Sequence, residues 1–495
     1  MQVHVSRELN GAYRYHKLMK KRNFLLLAII VLVPAALGQG LPELGDAAGA
    51  FLSASMEKRI GEEAYRDFRY RDANFVDDPE VTRYVNELGG KLVAASPDRH
   101  QGFEFFVLQD NSINAFAMPG GYIGVHTGLL LAAQSESEVA GVLAHEVSHV
   151  TQHHIARMLG KQSDASVASV AAMVIALLAA RSSPDLAQLT FATASAGAIQ
   201  AQLNYSRDFE READRVGFQL LNDAGFDVHA MAAFFERLQK AGRLHENNAP
   251  AYLRTHPLSV ERMADMQNRA QALAYKQVPD TLEFYLIRAK LRAGLGDSKE
   301  AVSIATEQLR QRRYTSEASA RYFLTAALIR DKKITAAERE LENLRSLNLA
   351  HPMIDMLAAR LQVAKNQTVA ARSSLRNALS RFPSYQPLRY ALIELLQDSS
   401  EHALALSETE ELLKGPRKDA RVYAMRAKSF AATGQQLLLH QALAEQYYLM
   451  GTIPAAIDQL QMAQKSGAGN FYQLSVIEAR LREMRGELAT QAKLR

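Results

Sequence analysis

The sequence predicts a mainly α-helical protein in two parts: an α+β domain with a small sheet, then an α-helical solenoid of tetratricopeptide type. Three observations predict it. Apolar residues recur at helical spacing through most of the chain. Strand-like runs are confined to residues 103–126, where aromatic and β-branched residues cluster between turn residues. From about residue 275 small residues return with a period of about 34, the mark of stacked helical hairpins.

The 495 residues are enough for two or three domains, and 48% hydrophobic with 22% charged residues is ordinary for a globular chain. The net charge of +5 is small and its basic residues are scattered. No Lys/Arg block interleaved with aromatics exists, so nothing supports nucleic-acid binding. The absence of cysteine excludes thiol catalysis, thiolate metal ligands, disulfides and a lipidated N-terminal Cys. It leaves the redox compartment open.

Taken in order, Lys20, Lys21 and Arg22 precede an apolar run over 24–37 that closes in Ala36-Leu37-Gly38. A basic lead, a run too short to span a bilayer and a small-x-small end make a signal peptide over residues 1–38, with Met19 as an alternative start. Pro34 argues against an uncleaved anchor. Residues 39–55 read as a flexible lead. Helices are expected over 56–69 and, capped by the Asp77-Asp78-Pro79-Glu80 cluster, over 81–95. Strands are expected over 103–108, 114–117 and 122–126, with Pro119-Gly120-Gly121 turning between the last two.

The chain is organised around His145-Glu146-Val147-Ser148-His149. Val139, Val142, Leu143, Val147 and Val150 give this stretch a helical apolar face. Residues four apart share a helix face, so both imidazoles can reach one metal ion. Glu146 stands beside them as the general base toward a water molecule. A catalytic zinc needs a third protein ligand and an open position. Glu210 is the best candidate, with Asp214 one turn on, placed to accept the free ring N–H of a ligating His. Glu212 points away and fits a solvated, salt-bridged face. One Zn2+ per chain is the expected cofactor.

His153 and His154 are expected to continue the same helix, at the surface or behind the ligands. A His149/His153 pair would lack a Glu in the base position. Residues 167–180 are apolar almost all round but short of a span, which favours a buried helical hairpin over a lid or a membrane-touching segment. Gly225-Phe226-Asp227 closes the Glu210 helix, a further helix follows over 231–241, and residues 247–258 read as a loop. His256 precedes Pro257, which biases it toward an extended conformation. It is a candidate for stabilising an oxyanion, or for filling the water position as a fourth ligand. The plainer reading is a loop histidine ahead of the N-cap residue Ser259.

Beyond 275, Ala289, Gly296 and Ala301 match tetratricopeptide spacing, as do Ala359, Asn366, Ala371 and Ala378 with Pro383 after them. Ala444, Gly451, Ala456 and Ala463 match again, and Ala479 with Gly486 begins another. Ala427 with Gly434 falls half a period out of register. About five to six hairpins are expected. Their concave surface would dock a protein partner, unless the array only buttresses the first domain.

His145-Glu146-x-x-His149 followed by Glu210-x-x-Ala213-Asp214 resembles the zinc-metallopeptidase family of HtpX and the CAAX prenyl protease, zincin-like in fold. Asn114-Ala-Phe-Ala-Met-Pro-Gly-Gly121 is similar to that family's edge-strand signature. With its leader and repeats, the whole chain most resembles the periplasmic BepA-type branch. The resemblance implies a zinc endopeptidase of the Gram-negative periplasm that degrades misassembled outer-membrane β-barrel proteins and assists their assembly. Its substrates would be unfolded or stalled outer-membrane proteins, and its repeats would meet the barrel-assembly machinery. Peripheral membrane contact, through 167–180, belongs to the same picture. In the family the strand before the Pro-Gly-Gly turn borders the substrate cleft, which makes Asn114 and Phe116 candidate cleft residues. The expected division is a metallopeptidase domain over 39–272 and a repeat domain over 273–495. The alternative is a chaperone or scaffold with proteolysis secondary. Glu146, which no structural need explains, favours the enzyme.

Overall fold

The computed structural model describes residues 53–96, 102–160, 207–244, 250–415, 418–467 and 469–494. The expected signal peptide and the apolar segment 167–180 lie outside these residues. Helix α1 (Ala54–Arg71) starts at the N-cap Ser53, and α2 (Pro79–Ala95) at Asp78, whose carboxylate accepts the N–H groups of Glu80 and Val81. Pro79 sits where its missing N–H is harmless.

Three strands follow: β1 (Glu104–Leu108), β2 (Ala115–Met118) and β3 (Tyr122–His126). Their order is β1-β3-β2, with β1 parallel and β2 antiparallel to β3. The β2–β3 turn is a single 3-10 turn with Gly120 at φ 73° and Gly121 at φ 92°. A Cβ on Gly120 would also come within 2.5 Å of Lys58 Cα, so α1 needs glycine there to close on the turn. The outer edge of β1 is already paired. Asn86 accepts the Phe105 N–H and donates to the Phe105 carbonyl, while Val76 N–H reaches Val107 O and Gln109 N–H reaches Asn74 O.

Strand parity puts different side chains on the two faces of the sheet. Phe106, Phe116 and Met118 pack with Ile60 and Ile155 on the α1 side. Phe105, Val107, Ala115, Ala117, Ile123 and Val125 join the main core with α2 and the motif helix. Phe116 is therefore a core residue, its ring against Phe68 and Phe106, and not a cleft residue.

After α3 (Thr127–Ala132), the motif helix α4 (Glu136–Thr151) is capped by Ser135. It is buried on every side from Glu136 to Val150, not only along the apolar face the spacing marks. The helix does not continue through His153 and His154. It ends at Thr151, His153 takes φ 50°, and a new helix α5 (His154–Gly160) sets off in another direction. Helices α6 (Arg207–Asp223) and α7 (Val228–Leu244) both cross α4 closely. A Cβ on Gly217 of α6 would lie 3.0 Å from His145 N, and one on Gly141 of α4 would lie 2.9 Å from Met231 Cβ. The stretch expected as a loop up to 258 contains a short helix, α8 (Ala251–Thr255), before α9 (Val260–Gln271).

The repeat region comprises α10 (Leu282–Gly294), α11 (Ser298–Arg310), α12 (Glu317–Arg330), α13 (Ile334–Arg345), α14 (Pro352–Ala364), α15 (Thr368–Arg381), α16 (Gln386–Asp398), α17 (His402–Leu413), α18 (Ala420–Ala432), α19 (Gln436–Leu449), α20 (Ile453–Lys465) and α21 (Phe471–Leu494). Besides Arg312, Asn348, Gly467 and Gly469, left-handed residues sit in the three-residue turns at Gly296, Lys332, Asn366, Ser400, Gly434 and Gly451. The first five of these turns stand one repeat apart, and the last comes half a repeat early. Ala427 and Gly434 thus keep the register of Ala289 and Ala359, and it is Ala444 with Gly451 that shifts. Helix α19 is the second helix of one hairpin and, across Gly451, the first of the next. The core divides around α19, where a small cluster of Ala427, Phe430 and Ala442 joins it to α18. One continuous cluster runs from Val81 to Met425, through both parts of the chain. Leu437, Ala444, Ile453, Leu460, Ile477, Leu481 and Met484 form a separate one.

First helices of the hairpins grip α1, α2 and the turn between them. Arg83 pairs with Glu283, Lys290 with Asp78 and Glu80, Arg360 with Glu80, and Arg421 with Asp77. Arg69 of α1 reaches Asp419 at 2.6 Å. The inner face expected for a partner is in part occupied by the chain's own first domain. Among the described residues no helix is long and apolar enough to cross a membrane.

Candidate metal centre

Three separate segments meet at the centre. Helix α4 supplies His145, Glu146 and His149, α6 supplies Glu210 and Asp214, and His256 follows α8. All six are buried. His145 Nε2 and His149 Nε2 lie 3.0 Å apart. Glu210 stands 3.4 Å from the first and 3.5 Å from the second. His256 Nδ1 lies 3.0 Å from Glu210 Oε1 and 3.4 Å from His145 Nε2. One donor atom from each of His145, His149, Glu210 and His256 falls within 4.8 Å of the other three.

This donor set fits a metal ion. Three imidazole nitrogens and a carboxylate converge, and two facing Nε2 atoms at 3.0 Å cannot both carry protons. Glu146 adds a second sign. Its two carboxylate oxygens are buried and accept no hydrogen bond, and His256 Nε2 stands 3.4 Å from one of them. A bare buried carboxylate is costly and is retained where chemistry needs it.

The residues behind the donors hold them in place. Asp214 Oδ1 is 3.0 Å from His145 Nδ1, the ring nitrogen facing away from the cluster. Arg262 of α9 donates to both Asp214 oxygens at 2.7 and 2.8 Å, reaches Glu210 at 3.0 Å and donates to Pro257 O, so one guanidinium ties α6 to the His256 loop. Burial works against the charged forms of Glu210 and Asp214. Their neighbours outweigh it, His256 first for Glu210 and Arg262 first for Asp214, and hold both carboxyls below the usual range. Burial likewise opposes a charged His145, yet the Asp214 and Glu210 carboxylates lift it to about 9. Burial, helped by the neighbouring His145, His256 and His154 and opposed by Glu210, drives His149 well below the ordinary histidine value.

Spacing along the chain did not mark Arg262 or Tyr252, and of the two readings given for His154, at the surface or behind the ligands, the structure has the second. The Tyr252 ring stacks on His256 at 4.7 Å and on Phe235 at 5.7 Å. His154 Nδ1 lies 2.9 Å from His149 Nδ1, and its Nε2 lies 3.2 Å from Glu212. Burial lowers His154 to about 4. Glu212 also accepts from Arg157 at 2.9 Å, on the part-exposed, salt-bridged face expected for it. Asn114 is buried at the end of β2, its carbonyl accepting the His126 N–H.

Residues 78–270 match peptidase family M48. This stretch is similar to the metallopeptidase domain of that family. The chain is 28% identical over 446 residues to the beta-barrel assembly-enhancing protease of Escherichia coli K12, covering 90% of this chain and 91% of that one. It is 39% identical over 281 residues to a Vibrio cholerae protein provisionally named beta-barrel assembly-enhancing protease. That match covers 56% of this chain and 58% of the relative's length. A mitochondrial metalloendopeptidase of Schizosaccharomyces pombe is 31% identical over 219 residues, 44% of this chain and 61% of its own. The M48 match spans the segments that carry the buried donor cluster, and it ends as the repeats begin. The chain is a metalloendopeptidase with a mainly helical fold around one small sheet.

Proposed function

We propose that the chain is a zinc-dependent endopeptidase of the cell envelope, exported to the periplasm by a signal peptide over 1–38. Residues 39–272 would form its peptidase domain and 273–495 its repeat domain. Its substrates would be misassembled outer-membrane β-barrel proteins, whose assembly it also assists. The observation that carries the peptidase reading is Glu146: a buried carboxylate with no hydrogen bond, beside four converging donors. The E. coli relative's name, matched along 90% of this chain, supports the barrel-protein substrates.

In this reading His145, His149 and Glu210 hold the ion, and Asp214 fixes His145 as the tautomer that offers Nε2. A bound Zn2+ supplies Lewis acidity, lowering the pKa of a water and polarising the peptide carbonyl. Glu146 takes the proton from that water and returns it to the leaving amine. His256 completes a four-donor set and sits against Glu146, where the water has to be. This supports a capped resting state, with His256 withdrawing to admit water and substrate. The oxyanion role for His256 is the second reading, and it requires the same withdrawal.

The test is Glu146→Gln in the purified mature protein, with metal counted per chain and cleavage of an unfolded barrel protein followed. Retained zinc with lost cleavage is expected. Retained cleavage would overturn the mechanism. A variant that keeps zinc and still restores barrel assembly in cells lacking the native copy would favour the scaffold reading.

A further inference from the structure

We propose that His154 is a positioning residue for the metal centre, the middle member of a relay His149–His154–Glu212 that fixes how His149 presents its lone pair. The proposal rests on the metal-binding reading above.

The two ligand-type histidines of α4 are backed in different ways. His145 has a carboxylate behind it, Asp214, locked by Arg262. His149 has a second imidazole instead. Its Nε2 faces the donor cluster, and its Nδ1 lies 2.9 Å from His154 Nδ1. Only one arrangement of protons serves a metal ligand here. His149 keeps its proton on Nδ1 and donates it to His154 Nδ1, which must be bare. His154 then carries its own proton on Nε2 and donates it to Glu212, 3.2 Å away. Arg157 donates to the same Glu212 oxygen, Oε2, at 2.9 Å, and its guanidinium also lies 4.7 Å over the Phe209 ring. Phe209 in turn stacks on His154 at 4.7 Å, which fixes the plane of the imidazole.

The backbone is bent to make this contact. In an unbroken helix a residue five positions on is turned about 140° from its partner, given about 3.6 residues per turn, and His154 would miss His149. The chain leaves the helix at Gln152, and His153 adopts φ 50°, unfavourable for a non-glycine residue. That break brings His154 back beneath His149. His153 is pinned by its contact with Glu57 of α1 at 3.0 Å. The strain sits at the one place where straightening would undo the relay.

The experiment measures Zn2+ affinity by chelator competition, and the visible spectrum of the Co2+-loaded protein, on full mature chains. His154→Leu removes the acceptor, and affinity is expected to fall about 10–100-fold with a changed Co2+ spectrum. His154→Asn places an amide oxygen near the position of Nδ1 and is expected to restore affinity to within about threefold of wild type. Glu212→Ala, at a part-exposed position that does not threaten folding, is expected to weaken affinity by about threefold or more. A folded His154→Leu with wild-type affinity and spectrum overturns the relay. If His154→Leu does not fold, unchanged affinity in Glu212→Ala overturns it. Failure of the underlying metal reading looks different: wild type binds no metal, or His149→Ala binds it as tightly as wild type.

Discussion

Single side chains decide most of the chemistry, and the sequence exposes them unevenly. Helical spacing of four put His145 with His149 and Glu210 with Asp214, and the structure gathers the first three with His256 around one point, with Asp214 behind His145. His256 was legible only because Pro257 follows it, and the choice between its two roles needed distances. Its Nδ1 is 3.0 Å from Glu210 and its Nε2 3.4 Å from Glu146, which favours the cap. We expect His256→Ala to raise turnover of an unfolded protein substrate with Zn2+ bound. A cap worth about 1.4 kcal/mol would give about a tenfold rise. A fall to the level of Glu146→Gln would instead assign His256 to the oxyanion. The contact of His154 with His149, and Arg262 altogether, were not legible, because each reaches the centre through a backbone turn that no periodicity encodes. The bend at His153 and the Ser259 cap place them.

Elements were more legible than their ends. The helices, the three strands and the turn at Pro119-Gly120-Gly121 follow the pattern of apolar residues and breakers. Two departures have physical causes. Strand β2 alternates, so Phe116 goes to the α1 face and cannot line a cleft on the other. In the repeats small residues recur at half as well as whole periods, since both helices of a hairpin need them to pack. Composition could not show which set is displaced, whereas the left-handed turn residues do. Ser400 is one of these, a non-glycine at φ 60° on an exposed turn. Ser400→Gly should stabilise the protein by about 0.5–1 kcal/mol, since an L-residue is disfavoured there by about 1–2 kcal/mol and glycine's greater unfolded freedom offsets part of the gain. The denaturation midpoint checks this, and a lower midpoint would refute it.

At the scale of the whole molecule, the joint between peptidase and repeats is electrostatic at its rim. Burial acts to raise the Asp78 carboxyl, but Lys290 outweighs it and the folded-state pKa is lowered. A depressed carboxylate contributes stability above its unfolded value of about 3.9, and that contribution is lost as pH falls through the folded value. Asp78→Asn keeps a capping side chain for α2 and leaves Lys290 paired with Glu80. It should lower stability at pH 7 by roughly 1 kcal/mol. The gap from wild type should close as the pH falls through the folded value of Asp78. A gap independent of pH would show that the pair is not the cause.

The division of the apolar interior after Met425 has a consequence for how the molecule comes apart. Cooperative unfolding requires that neighbouring units lose buried surface together, and in stacked repeats that coupling is carried by the interface between them. The peptidase and the helices up to α18 share one interior and should melt as a single unit. Residues 436–494 have their own, and helix α19, serving two hairpins, leaves no seam inside that block. It should open as one piece at lower denaturant, and its amides should exchange with solvent deuterium while those of α4 and α6 remain protected. One exchange transition shared by the whole chain would show the two interiors to be energetically joined.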